Sequence, residues 1–432
     1  MADALTHPLG HLIMNKDLLE SLAETHSTPL YVYDRNRLRD NVIRLDRALS
    51  ESFKNYTICY ALKANTNPHL IAEMRSAVPT LGADCSSPGE LYLAQEVGIP
   101  PESCLYTGNY ESERELRLAL DSGVHLNLDD ATSYERLRRI GLPPEISFRL
   151  NPGFGKGEFP GIVTAGRDAK FGVPLEKIES VYRQAAEDGI HRFGLQCMTG
   201  SGILEPEYFV HLLTTILEVV KSLESSLSSP FGFVSMGGGF GIPYREEDRP
   251  LAPGELFPLL STVFRKFYDE DDNGIPSLIV EPGKFLIGDA GFLRARVTGK
   301  KNAYKNFVGL DAGMNVLLRP ALYRTYHRIL KVGDPYASPV ETVDFTGEIC
   351  ENTDRLAQDR PFPEVEEGDL VAIMDSGAYG FSMASQYNTR PRPAEVLLVD
   401  GEARVIRRRE TIPDIFHLCD WEKPAPSTDS RG

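Results

Sequence analysis

Between residues 57 and 287 the chain alternates eight strand-like runs with helical patterns, and no other feature restricts its fold as strongly. The runs begin near Thr57, Thr80, Cys104, His125, Glu145, Arg192, Pro230 and Ser277. Helix periodicity fills most of the intervals, over residues 88–97, 111–121, 132–140, 175–188, 208–223 and 255–268. Such alternation implies parallel strands, since each helix carries the chain back to the same end of the sheet, and eight units imply closure into a (β/α)8 barrel. An open doubly wound sheet is the competing architecture, but no GxGxxG follows the first strand.

After about Gly291 the texture changes to short β-rich runs at 292–298, 306–310, 340–349, 369–374 and 394–399. Asp400-Gly401, set between Val396-Leu397-Leu398 and Ala403-Arg404-Val405, is a strong type I′ hairpin signal. A C-terminal antiparallel β domain is therefore expected, joined by the strand-like segment 28–33. The predicted organisation is a barrel over 33–291, a β domain from 1–32 and 292–422, and a disordered tail over 423–432, rich in Pro, Ser and Asp. Arg407-Arg408-Arg409 reads as a solvated charge run on an edge strand.

The composition, 41% hydrophobic and 25% charged, is that of an ordinary soluble globular protein. A formal net charge of −16 argues against a nucleic-acid backbone or an anionic membrane as partner. No long uncharged apolar run is present, and residues 1–16 lack the charged-then-apolar pattern of a signal peptide. Six scattered cysteines without CxxC or Cys/His ligand spacing suit a reducing compartment and speak against structural zinc. A cytoplasmic protein without a bound metal is expected.

Chemistry-bearing residues collect at the C-terminal ends of the eight strands, the face where barrel enzymes keep their active sites. Lys63, in Tyr60-Ala61-Leu62-Lys63-Ala64-Asn65, ends the first, and Asp84 lies near the end of the second. Arg149 ends the fifth, Thr199-Gly200-Ser201-Gly202 the sixth and Gly237-Gly238-Gly239-Phe240-Gly241 the seventh; Glu281-Pro282-Gly283-Lys284 falls near the eighth. A lone strand-end lysine is usually solvated. In this position burial and nearby cations would depress its pKa and free the amine to form a Schiff base. GGGFG alone is often a tight turn. Beside GSG on the neighbouring strand it reads as one phosphate cup, since backbone N–H groups of glycine turns approach anions closely. A lysine, a phosphate cup and a carboxylate together are what pyridoxal phosphate needs, with Glu281 as the carboxylate for the pyridine nitrogen.

These motifs resemble those of the fold-type III pyridoxal-phosphate decarboxylases, which have an alanine-racemase-like barrel, and within them the diaminopimelate decarboxylases. The similarity spans roughly residues 28–415. It rests on YALKAN, GADCSSPGEL, GGGFGIPY, EPGKFL, DAGMNVLLRPALYRTYH, GEICENTD and GAYGFSMASQYNTRPRPAEVL. The resemblance implies that Lys63 carries the cofactor and Glu281 pairs with its ring nitrogen, with Asp84 and Arg149 nearby. It implies that Ser201, Gly238, Gly239 and the backbone around Gly283 and Lys284 hold the phosphate, helped by the Tyr387 hydroxyl. Cys350 would cross from the partner subunit of a head-to-tail homodimer and reprotonate the substrate carbon after CO2 leaves. Glu351 beside it would bind the substrate's distal ammonium, and Arg319 and Tyr323 its distal carboxylate. From the residues alone, other readings stay open: Arg319 as a helix-cap structural residue, Cys350 as a small buried hydrophobe and Tyr323 as core packing.

Four positions depart from the family pattern. Met198 stands where a histidine usually stacks on the cofactor ring, Lys284 replaces the arginine of EPGR, and Asn352-Thr353 replaces Ser-Gly. A thioether packs on a ring but cannot titrate, and lysine keeps charge without a bidentate fork. Decarboxylation of meso-diaminopimelate to L-lysine is the leading expectation. Decarboxylases of ornithine, lysine, arginine or a carrier-bound or conjugated amino acid are the same-class alternatives. A racemase of this fold needs a tyrosine base, whereas this chain offers the cysteine loop; an inactive regulatory homologue is the non-enzymatic alternative. The glycine-rich loop 153–168 is expected to close over the site.

Overall fold

The structure, a computed structural model, describes residues 7–268 and 274–421. The expected tail over 423–432 and the first six residues lie outside the described residues. The first strand, β1, is Leu30–Asp34. The barrel strands follow as β2 Tyr56–Ala61, β3 Gly82–Cys85, β4 Cys104–Tyr106, β5 His125–Leu128 and β6 Ile146–Asn151, with a two-residue β7 Val173–Pro174, then β8 Phe193–Cys197, β9 Phe231–Ser235 and β10 Ser277–Val280. They pair in the order β5-β4-β3-β2-β10-β9-β8-β6, all parallel, and β5 pairs with β6 to close the ring. The eight strands begin within two residues of the expected starts, because each is a short apolar run bounded by turn residues.

The helices lie outside the ring and bury one apolar stripe each. Pro88–Glu96 starts from a Ser87 cap, and Glu113–Asp121 from a Ser112–Glu115 capping box. Pro68–Ala77 is capped by Asn67, whose side chain accepts from the His69 N–H at 3.1 Å. That cap sets the direction in which the chain leaves Lys63. The large core between the barrel strands and their helices runs into the second domain through Tyr31, Tyr33 and Leu293, while Cys59, Leu105, Phe233 and Ile279 form a separate small cluster.

The β domain comprises β1 with β11 Gly291–Asn302, β12 Asn306–Leu310, β13 Ile329–Lys331, β14 Glu341–Thr346, β15 Arg355–Phe362, β16 Leu370–Ile373, β17 Ala394–Val399 and β18 Glu402–Arg407. Most pairings are antiparallel, including the β17–β18 hairpin around Asp400-Gly401. Two are parallel, β1 with β17 and β12 with β14, so the sheet is mixed rather than purely antiparallel. Those pairs join distant parts of the chain, which no hairpin signal reports. The arginine run at the end of β18 is also not free in solvent. Arg407 bonds to the fully buried Glu395, Arg408 to Asp414, and Arg409 to the Pro29 and His26 carbonyls. Arg409 ties the edge hairpin to the segment that leads into β1, while Arg408 stays exposed. Among the described residues, no helix is long and apolar enough to cross a membrane.

Candidate active site

The C-terminal mouth of the barrel opens into a cavity of about 250 Å³. Lys63 enters it from the 3-10 turn Leu62–Ala64, which directly follows β2. Ala61 is in register with Asp84, so β2 and β3 bring the two side chains together, with Nζ donating to Asp84 Oδ2 at 2.6 Å. Asp84 is 1% exposed. Burial presses the Lys63 ammonium towards the neutral form, but Asp84, Tyr379 and Glu281 outweigh it and raise its pKa above the ordinary lysine value. The expected depression is thus reversed, because Asp84 touches the amine and Glu281 adds to its field.

Glu281, just after β10, is 5% exposed and its carboxylate is held from both sides. Gln196 Nε2 donates to its two oxygens at 3.2 and 3.0 Å, and the Ser235 hydroxyl donates to Oε1. Burial and the charge on Asp84 push Glu281 up to about 7, against the pull of Ser235, Lys63 and Gln196. Gln196 and Ser235 are adjacent in register on β8 and β9. Sequence reasoning missed both, although a polar residue inside an otherwise apolar buried strand is itself a signal.

The glycine turns after β8 and β9 pack so tightly that side chains are excluded. A Cβ on Gly200 would lie 1.5 Å from the Lys156 carbonyl oxygen, and one on Gly238 would lie 2.3 Å from that of Glu281. Gly202, Gly237 and Gly239 have φ of +80°, +67° and +89°, a region L side chains rarely adopt. Ser201, Gly239, Gly283 and Lys284 line the cavity at this end. Lys284 Nζ is buried and makes no hydrogen bond; its nearest carboxylate oxygen, Glu158 Oε2, is 3.7 Å away. Burial and the charge on Arg319 lower its pKa to about 7. A buried ammonium without an acceptor, beside a glycine cup, fits a phosphate. Gly238 is committed elsewhere, its N–H pointing at Met198 Sδ at 3.2 Å. Met198 lines the cavity, as its replacement of a ring-stacking residue requires.

Arg319, the first residue of the turn Arg319–Tyr323, lines the other side and is 3% exposed. Its Nη1 donates to the Tyr244 hydroxyl at 2.7 Å and lies 3.4 Å from His327 Nε2. Burial and the neighbouring Arg319 lower His327 to about 3, so it is neutral and can accept. Tyr323 also lines the cavity and stacks on Phe159 of loop 153–168, at 6.5 Å and 7° between rings. That loop contributes Gly161, Ile162 and Thr164 to the wall.

Besides Gly238, four expected residues do not line this cavity. Arg149 lies behind it, bonded to Asp129 and to the carbonyls of Thr164 and Met198, and so supports the loop and Met198 from outside. Cys350 is exposed and accepts from Asn388 Nδ2 at 3.1 Å. Glu351 pairs with the Tyr387 hydroxyl and Thr353, on the same outer surface. Tyr387 therefore does not line this cavity. The tyrosine that reaches the cavity is Tyr379, eight residues earlier in the same motif, whose N–H donates to the Ala64 carbonyl at 2.7 Å. Both tyrosines were visible in the sequence; only the tertiary path of the chain separates them.

Residues 39–288 match the model of the pyridoxal-binding domain of pyridoxal-dependent decarboxylases. The chain is 43% identical to a diaminopimelate decarboxylase of Methanothermobacter thermautotrophicus, over 94% of this chain and 95% of the relative. It is 33% identical to Protein TabA of Pseudomonas amygdali pv. tabaci, over 94% of both. Among solved structures, a Helicobacter pylori diaminopimelate decarboxylase complexed with L-lysine superposes with a TM-score of 0.83 at 31% identity, covering 93% of this chain and 98% of that one. A lysine/ornithine decarboxylase of Vibrio vulnificus, at 21% identity and a TM-score of 0.75, shares the fold. With a strand-end lysine, a buried carboxylate pair and an anion cup inside one such barrel, this chain belongs to the pyridoxal-dependent decarboxylases.

Proposed function

We propose that this chain decarboxylates meso-diaminopimelate, releasing L-lysine and CO2. The observation that carries the reading is Arg319, a buried guanidinium on the wall of the cavity that also holds Lys63. A buried arginine fork facing a lysine-bearing site suits a substrate with a second carboxylate. The full-length similarity to diaminopimelate decarboxylases supports the same substrate.

Bound pyridoxal phosphate supplies the electron-withdrawing ring that accepts the electron pair left as CO2 departs. Lys63 provides the amine that attaches it, and Asp84 keeps that amine in place and shares its proton. Glu281, fixed by Gln196 and Ser235, is the carboxylate for the ring nitrogen. Ser201, Gly239, Gly283 and Lys284 hold the phosphate, with Tyr379 in the role expected of Tyr387. Arg149 and Gly238 position Met198. Arg319 and Tyr323 orient the distal carboxylate. The barrel, 33–291, and the β domain, 1–32 and 292–422, act as the two halves of a cytoplasmic homodimer's subunit.

Cys350 and Glu351 complete the site of the partner subunit, which explains why an exposed thiol and carboxylate share one surface with Tyr387 and Asn388. The Cys350 thiol returns a proton to the substrate carbon, and Glu351 receives the distal ammonium. Mixing the inactive variants Lys63→Ala and Cys350→Ala in equal amounts is expected to restore about a quarter of wild-type activity. Half of the randomly formed twofold dimers then hold one intact site of two. No recovery after subunit exchange would place Cys350 in its own chain's site or outside catalysis.

The substrate is tested by CO2 release from meso-diaminopimelate, lysine, ornithine and arginine. Release from diaminopimelate alone is expected. Release from ornithine or lysine with silence on diaminopimelate would overturn the assignment.

A further inference from the structure

Glu158 stands at the rim of the phosphate cup without a role in the chemistry above. It belongs to loop 153–168, and its N–H donates to the Ser201 carbonyl at 3.2 Å, so the loop backbone is tied to the GSG turn. A Cβ on Gly202 would lie 3.3 Å from both Glu158 Oε2 and Lys284 Nζ, which puts carboxylate, ammonium and glycine turn at one point. The Glu158 side chain is 26% exposed and that of Lys284 3%, so the loop covers the cation. The ends of the loop are anchored separately, Gly153 and Gly166 to the Asn151 side chain and Thr164 to Arg149 and the Met198 carbonyl. Lys156 and Thr164 N–H groups donate to the Thr199 carbonyl at 3.3 Å each, and Lys156 Nζ pairs with Glu205 at 2.9 Å on the surface.

We propose that Glu158 is an internal anion that competes with the cofactor's phosphate for Lys284, so that phosphate binding and the closure of loop 153–168 are coupled. The inference rests on the cofactor reading given above and deepens it. A phosphate in the cup takes the ammonium and repels the Glu158 carboxylate, and the stretch of loop around Glu158 then loses its side-chain tie to the cup while the loop ends stay anchored at Asn151, Arg149 and Thr199. Reciprocity requires that a loop held shut by Glu158 weakens phosphate binding by the same factor.

The groups that face Lys284 set the pH response. They are Glu158 from the loop, Arg319 from the turn 319–323, the Tyr244 ring at 5.3 Å, and the neutral His327 behind Arg319. Without phosphate, Lys284 loses its proton near pH 7; phosphate raises that value by pairing with the ammonium. Binding therefore takes up a proton above pH 7. Affinity is highest below the free-form pKa and falls as pH rises through it towards the bound-form value.

The test uses the full chain stripped of cofactor and pyridoxine 5′-phosphate, which carries the phosphate but no aldehyde to react with Lys63. In wild type, affinity is expected to fall at least fivefold between pH 6.5 and 8.5. Lys284→Arg should remove that fall and keep binding, because arginine stays charged. At pH 6.5 Glu158→Gln should bind about fivefold more tightly, the low end of common coupling strengths. Tryptic cleavage at Lys156 and Arg167 should rise on ligand addition in wild type and be ligand-independent in Glu158→Gln. Unphosphorylated pyridoxine should leave cleavage unchanged. Equal affinity of wild type and Glu158→Gln, or cleavage that ignores the phosphate, would overturn the coupling while leaving the cofactor assignment intact. Failure of wild type to develop an absorbance band with pyridoxal phosphate would instead overturn the assignment and the coupling together.

Discussion

Replacing Lys63 with alanine is expected to lower CO2 release by about 10⁴-fold or more, the scale seen when a group forming a covalent bond is deleted. The cofactor should still bind through the glycine cup and Lys284, but its absorbance should be that of the free aldehyde. The structural cost is small. Lys63 is 43% exposed to the cavity, and its hydrogen bond is to Asp84, which keeps its place in β3. Thermal unfolding within a few degrees of wild type, with activity lost, is therefore the expected pair of results. Activity within tenfold of wild type would remove Lys63 from the chemistry. Methylamine added to the variant should restore part of the rate, because the cavity retains the carboxylates that share the amine's proton.

Arg319→Met should reduce kcat/KM for meso-diaminopimelate by about 10³-fold, chiefly through KM. That corresponds to about 4 kcal/mol for a desolvated charge pair left without its cation. Methionine keeps the apolar stem, so packing against Tyr244 survives. Inhibition by D-lysine, which keeps the reacting centre but lacks the distal carboxylate, should change less than about threefold, since binding that never used the fork is unaffected. Arg319→Lys keeps charge but not geometry and should fall between the two. An equal loss for both ligands would show that Arg319 holds the cavity's shape through Tyr244 and His327 rather than reading the substrate. A change in kcat alone would point the same way.

The barrel was legible in the sequence because its physics is local. Parallel strands buried on both faces read as apolar runs, helices as 3.6-residue stripes with capping residues, and strand-end glycines as turns. Lys63, Asp84, Glu281, Ser201 and Lys284 could be placed on one face by counting strands, without any contact being known. The β domain was half legible. Its hairpin at Asp400-Gly401 follows from turn chemistry, whereas the parallel pairings β1–β17 and β12–β14 join segments hundreds or tens of residues apart.

Where charges sum over space, the sequence was a poor guide. It suggested that nearby cations would depress Lys63, yet Arg149 turns outward to Asp129, and Asp84 touches the amine. The choice between Tyr379 and Tyr387, eight positions apart, depends on how the segment after β16 folds back over Ala64. Gln196 and Ser235 became visible as the clamp on Glu281 only through strand register. By itself the sequence determined the architecture, the cofactor class and the residue types of the site, since periodicity, turn chemistry and motif spacing are carried by neighbours along the chain. Tertiary structure alone decided which of those residues meet, which way their pKa values move and that Glu158 faces Lys284, because Coulomb energy and burial depend on distance through space.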